Sequence, residues 1–115
     1  MSYTNPKPYV VEFINERVEA EVRSWPKGIY ASFVGLTDRM PEHGPNLGIR
    51  YTRPFGDGLF EIRAHGREGI GRAFFCTLIG RRIVILHGFI KKTQETPHHE
   101  IQIARKRQRQ IQGSC

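Results

Sequence analysis

The run Arg82-Ile-Val-Ile-Leu-His-Gly-Phe-Ile90 sets the tightest limit on how this chain can fold. Six of its nine residues are large and apolar, and four of them, Ile83 to Leu86, occupy consecutive positions. A strand built from them is apolar on both faces, so it belongs inside a sheet with both sides covered. Two further strands precede it. LFEIRAH (Leu59–His65) alternates, with Phe60, Ile62 and Ala64 on one side and Leu59, Glu61, Arg63 and His65 on the other. GREGIG reads as a turn, RAFFCTLI (Arg72–Ile79) as the next strand, and Gly80-Arg81 as a tight turn into the apolar run.

The first half has a different period. YVVEF (Tyr9–Phe13) is a short strand candidate. Asn15 then caps a helix to about Ser24, with Val18 and Val22 one turn apart. Pro26 restarts the chain, and KGIYASFVGLTDRM spaces Ile29, Phe33 and Leu36 for a second helix. Residues 1–8 read as a loose arm, and residues 42–58 as loop or edge. At the other end Thr96-Pro97 starts a basic helix, Thr at the N-cap and Pro at the first helical position. It places Ile101, Ala104 and Ile111 against the fold and Arg105, Lys106 and Arg109 outward, where they suit RNA. The expected fold is one α+β domain over residues 1–115: a small antiparallel sheet packed against a two-helix hairpin, with its helices on one side.

Bulk properties narrow the function. No apolar run approaches the ~20 residues that span a bilayer. The N-terminus lacks a secretion pattern, so a cytoplasmic location is expected. Cys76 lies in an apolar run and Cys115 is the last residue, which makes neither a disulfide framework nor a metal site; no metal or cofactor is expected. Residues 1–50 carry six Lys/Arg and six Asp/Glu, while residues 51–115 carry twelve and five, so the whole net charge of +7 belongs to the second half. That asymmetry suits a polyanion or an acidic protein partner.

A four-residue loop Gly66–Gly69 places Arg63 and Arg72 opposite each other on one face. At about 6 Å and an effective dielectric near 20 they repel by roughly 2–3 kcal/mol. An anion between them reverses that cost, and the guanidinium fork matches a phosphate; alternatively both are solvated and Glu61 or Glu68 pairs with one of them. His87 and Lys91 share a face of the third strand, and Lys91 and Lys92 stand at its end. The chain offers no carboxylate pair, no Ser-His-Asp set and no phosphate-binding loop. Arginines, lysines and a histidine do suit RNA cleavage through its own 2′-hydroxyl. That reaction needs alignment, charge stabilisation of the phosphorane, one proton acceptor and one donor. His87 or a lysine of lowered pKa can move the proton.

The stretches LFEIR, RAFF and IVILHGFIKKTQETPHHEIQIARKR together resemble the RelE/HigB family of type II toxin–antitoxin toxins, in its phage-derived branch. The similarity is close from Leu59 to about Arg107, and the combination Phe89-x-Lys-Lys-Thr with Thr96-Pro-x-x-Glu-Ile-x-x-Ala is its specific part. The resemblance implies a ribosome-dependent, metal-independent mRNA endoribonuclease that arrests translation and is neutralised by a cognate helix-turn-helix antitoxin. By position it carries Arg63, Arg72, Lys91 and Lys92 into the site. Two departures stand out: Phe75 where a tyrosine is common, and Gly71 where a bulky residue usually precedes the arginine. A binding module without catalysis, or a surface that docks an acidic partner, also fits the residues taken alone.

Overall fold

The computed structural model describes residues 8–91 and 97–112. Lys92, Thr96, Cys115 and most of the N-terminal arm therefore lie outside the described residues. The element order is β1 (Val10–Phe13), α1 (Glu16–Arg23), α2 (Lys27–His43), β2 (Thr52–Gly56), β3 (Leu59–Gly66), β4 (Gly69–Leu78), β5 (Arg82–Lys91) and α3 (His98–Gln112).

Local signals explain the helices. The Asn15 side chain accepts from the Val18 amide at 2.9 Å, and Val18 and Val22 are buried one turn apart. In α2 the buried stripe is Ile29, Phe33, Leu36 and Met40, an i, i+4, i+7, i+11 pattern. The helix runs past Pro41, and Gly44 closes it with a positive φ and a bond from its amide to the Met40 carbonyl.

The strands form one five-stranded sheet in the order β1-β5-β4-β3-β2. This is wider than the three central strands read from the pattern. β2, inside the stretch read as loop or edge, is an edge strand and tolerates Pro54 there. β1 runs parallel to β5, pairing Val10 with Arg82 through Phe13 with Ile85, so the sheet is mixed. β4 begins at Gly69 rather than Arg72, leaving a turn of Arg67 and Glu68. Ladder pairing continues through the glycines because nothing in their backbones opposes it.

The two faces bury separate clusters. Val18, Val22, Trp25, Ile29 and Phe33 of the helical hairpin pack on Ile62, Ala64, Ala73, Phe75, Ile83 and Ile85. Leu59, Phe74, Cys76, Val84, Leu86 and Phe89 face the other way and pack on Ala104, with Ile101 and Ile111 at the margin. α3 thus lies on the opposite face from the hairpin. The expectation of helices on one side fails because an apolar stripe requires burial but does not say against which face. This arrangement also satisfies β5, whose two faces are now both covered.

Trp25 accounts for one departure from the family pattern. A Cβ at Gly71 would stand 2.7 Å from both Ile29 and Trp25 atoms. The indole occupies the space that a bulkier residue before Arg72 would fill.

Candidate functional site

Register places the chemistry as a grid on the α3 face. Arg63 pairs with Arg72, as the four-residue loop required, and Arg72 with Phe89. The next row toward the β3–β4 turn is His65, Ile70 and Lys91. The row on the other side is Glu61, Phe74 and His87, with Arg53 of β2 opposite Glu61. α3 covers the end of this face that carries Leu59, Phe74, Cys76 and Val84.

Arg72 sits deep in this grid. It is 2% exposed, and its Nη1 donates to a Glu61 carboxylate oxygen at 2.7 Å. Glu61 itself is 0% exposed. Glu61 therefore pairs with one of the two arginines, Arg72, which is not on an open face; Arg63 is half-buried and donates to the Ile49 carbonyl at 3.3 Å. Alternation put Glu61 and Arg63 together on a polar-looking face. The core beneath α3 turns that face into an interior one.

Among the described residues, four buried side-chain nitrogens have no hydrogen-bond partner: Trp25 Nε1, Arg63 Nε, His65 Nε2 and Arg72 Nε. Trp25 belongs to the hairpin face. The other three occupy adjacent grid positions. A buried polar group without a partner costs about 1–3 kcal/mol, and three of the four fall in this one patch. Lys91 closes the patch on the β5 side. Burial and then the Arg72 guanidinium hold its pKa below the usual lysine range; Glu61 opposes the effect, and Arg63 and Arg53 add to it. Four cations thus surround one carboxylate.

Arg53 was missed by sequence reading because it lies in a Gly- and Pro-rich stretch. Its guanidinium stacks over Phe55, 5.7 Å from the ring centroid. The alternation of Arg53 with Phe55 was the available signal. His65 was placed on this face by alternation but given no role.

Four other expected site residues fall elsewhere. His87 is about 13 Å from Lys91 along β5, at roughly 3.3 Å per residue. Its Nε2 lies 2.6 Å from Glu100 and its Nδ1 3.4 Å from an Arg107 nitrogen, and Arg107 also donates to the Leu86 carbonyl at 2.8 Å. Since Arg107 can only donate, Nδ1 accepts and Nε2–H faces the carboxylate. Both ring nitrogens are engaged in holding α3 to β5. Arg105 bonds the Gly56 and Phe55 carbonyls, both at 2.9 Å, and so latches α3 to the β2–β3 turn. Lys106 and Arg109 remain exposed on α3. Phe75, in place of the common tyrosine, is buried on the hairpin face, stacked on Phe60.

No group of three or more His, Cys, Asp or Glu among the described residues could hold a metal ion. None of the described helices is long and apolar enough to cross a membrane.

Comparison with known proteins bears on this geometry. The family model described as "Phage derived protein Gp49-like (DUF891)" matches residues 20–109. No curated protein is significantly similar to the chain in sequence. Among solved structures, the archaeal RelE–RelB complex from Pyrococcus horikoshii OT3 contains a chain of similar fold. The TM-score is 0.51 at 21% identity, over 74% of this chain and 97% of that one.

Proposed function

We propose, from the premise that this chain belongs to the phage-derived Gp49-like family and has a RelE-like fold, that it is the toxin of a type II toxin–antitoxin pair. It cuts mRNA on the ribosome and so stops translation, without a metal. The single observation that carries this reading is the clustering of Arg63, Arg72 and Lys91, set on one face by the register of three adjacent strands. A backbone phosphate supplies the negative charge that such a cluster attracts.

The chemistry follows from the charges. RNA carries its own nucleophile, the 2′-hydroxyl next to each phosphate. Attack on phosphorus concentrates negative charge on the non-bridging oxygens, and fixed cations stabilise that charge more than they stabilise the ground state. Arg72 is held in place by Glu61 and is almost wholly buried, so it acts on the phosphate as a fixed positive charge beneath the site. Arg63 and Lys91 approach from the strands on either side. Lys92 follows directly and extends the charge, although it lies outside the described residues. Lys106 and Arg109 on α3 contact phosphates farther along the RNA or ribosome. Cleavage leaves a 2′,3′-cyclic phosphate and a 5′-hydroxyl.

A basic toxin needs a partner that masks this surface, which supports a cognate antitoxin; its helix-turn-helix type is what the family resemblance implies. The solved RelE structure is itself of a complex with RelB. The test is induction of this chain alone in growing cells, followed by primer extension on several transcripts. Growth arrest with new mRNA 5′ ends supports the reading, as does rescue by the neighbouring gene. Arrest with intact mRNA refutes catalysis and favours a binding-only module.

A further inference from the structure

Cutting RNA this way requires one group to take the 2′-hydroxyl proton and another to protonate the departing 5′-oxygen. His87 is engaged at both ring nitrogens by Glu100 and Arg107. Of the five histidines in the chain, only His65 and His87 lie on strands. We propose that His65 accepts the 2′-hydroxyl proton while the Lys91 ammonium donates to the 5′-oxygen. This assignment rests on the endoribonuclease reading above.

Three observations carry it. First, His65 as a residue is only half-buried, and its Nε2 has no hydrogen-bond partner among the described residues. A packed structural histidine normally satisfies that nitrogen, as His87 does here. Second, His65 lies on the cationic patch by register: it shares the β3 face with Glu61 and Arg63, and the row His65–Ile70–Lys91 crosses three adjacent strands. Third, the spacing suits in-line displacement. Two strand spacings of about 4.8 Å separate His65 from Lys91, with Arg72 on the strand between them. A phosphate seated over Ile70 and Arg72 has the imidazole on one flank and the ammonium on the other. In-line attack requires that opposition, because the entering and leaving oxygens sit on opposite sides of phosphorus.

The step balances. Neutral His65 takes the proton as the 2′-oxygen bonds phosphorus, the P–O5′ bond breaks, and Lys91 gives its proton to the 5′-oxygen. Solvent then removes the proton from His65 and returns one to Lys91, so nothing is oxidised or reduced. Imidazole suits the accepting role because it exchanges its proton near neutral pH. By register, the charged groups on the same sheet face as His65 are Glu61 and Arg63 on its own strand, Arg72 on β4, Lys91 on β5 and Arg53 on β2.

The test uses the purified full chain, translating ribosomes and end-labelled mRNA under single-turnover conditions. His65→Gln should lower the cleavage rate by about 10²–10⁴-fold while leaving the urea midpoint unchanged. Lys91→Met should lose rate comparably. A substrate with sulfur in place of the 5′-bridging oxygen separates the two roles, since a thiolate leaves without a proton. That substrate should restore Lys91→Met to within about tenfold of the unsubstituted rate and leave His65→Gln slow. His65→Gln cleaving within threefold of the unsubstituted protein overturns the assignment, and so does rescue of His65→Gln by the sulfur substrate. Failure of the unsubstituted protein to cut mRNA refutes the endoribonuclease reading itself.

Discussion

Replacing Arg72 by alanine strips a guanidinium from a carboxylate that is 0% exposed. The two charges meet at 2.7 Å with side chains only 3% and 0% exposed, so water cannot take the place of the lost partner. Breaking a buried pair from one side costs about 3–5 kcal/mol. Against a total stability of about 5–15 kcal/mol this is severe. Urea unfolding followed by circular dichroism should show the midpoint falling by at least about 1 M, taking a slope of up to 3 kcal/mol per M. Removing both charges, as Arg72→Met with Glu61→Leu, should return stability to within about 1.5 kcal/mol of the starting protein, since apolar replacements spare the desolvation cost. Arg72→Lys should stay folded yet lose activity, because it keeps the charge and forfeits the planar fork. A loss below 1 kcal/mol for Arg72→Ala would refute the buried pair and return Arg72 to an open surface. The practical consequence is that an inactive Arg72→Ala protein would say nothing about catalysis by itself.

Further outcomes test other parts of the structure. In a Cys115→Ser variant, Cys76 should resist thiol reagents at pH 8 until the protein unfolds, because burial pushes its pKa up to about 11. Gly71→Val should cost about 1–3 kcal/mol by driving a side chain into Trp25 and Ile29, measurable by urea unfolding. The hydrogen bond from Arg82 holds the Glu12 carboxyl below its usual 4.5. The resulting stability is present at neutral pH and is lost as pH falls through 4.5 and the lower folded value. Because the pair is 47% and 37% exposed, Glu12→Gln should change stability at pH 7 by less than about 1 kcal/mol and flatten the acid limb of the melting curve.

Much of this architecture was legible where the determining contacts are local. Asn15 with Val18 and Val22 declared α1, and the glycines Gly66 and Gly69 set the register that opposes Arg63 and Arg72. Pairings between distant segments left no such trace. Nothing in Val10–Phe13 announces a parallel partner some seventy residues later, since parallel and antiparallel strands share the same period. The stripe Ile101, Ala104 and Ile111 shows that α3 must pack, but the face was undetermined. That gap had consequences for the site. With α3 on the charged face, Arg72 and Glu61 become interior and His87 becomes part of the joint with Glu100 and Arg107. Arg53 was hidden by its Gly- and Pro-rich surroundings, and His65 became conspicuous only when its ring nitrogen proved to lack a partner.

The proposed toxin activity requires Arg63, Arg72 and Lys91 to act together on an RNA phosphate. The most direct measurement is end-group analysis of mRNA cut by the purified chain on ribosomes stalled with an empty A site. The expected result is a single cut there with a 5′-hydroxyl end, lost in Arg63→Ala and Lys91→Ala proteins that melt normally. Intact mRNA, or cutting that persists in both variants, would contradict it.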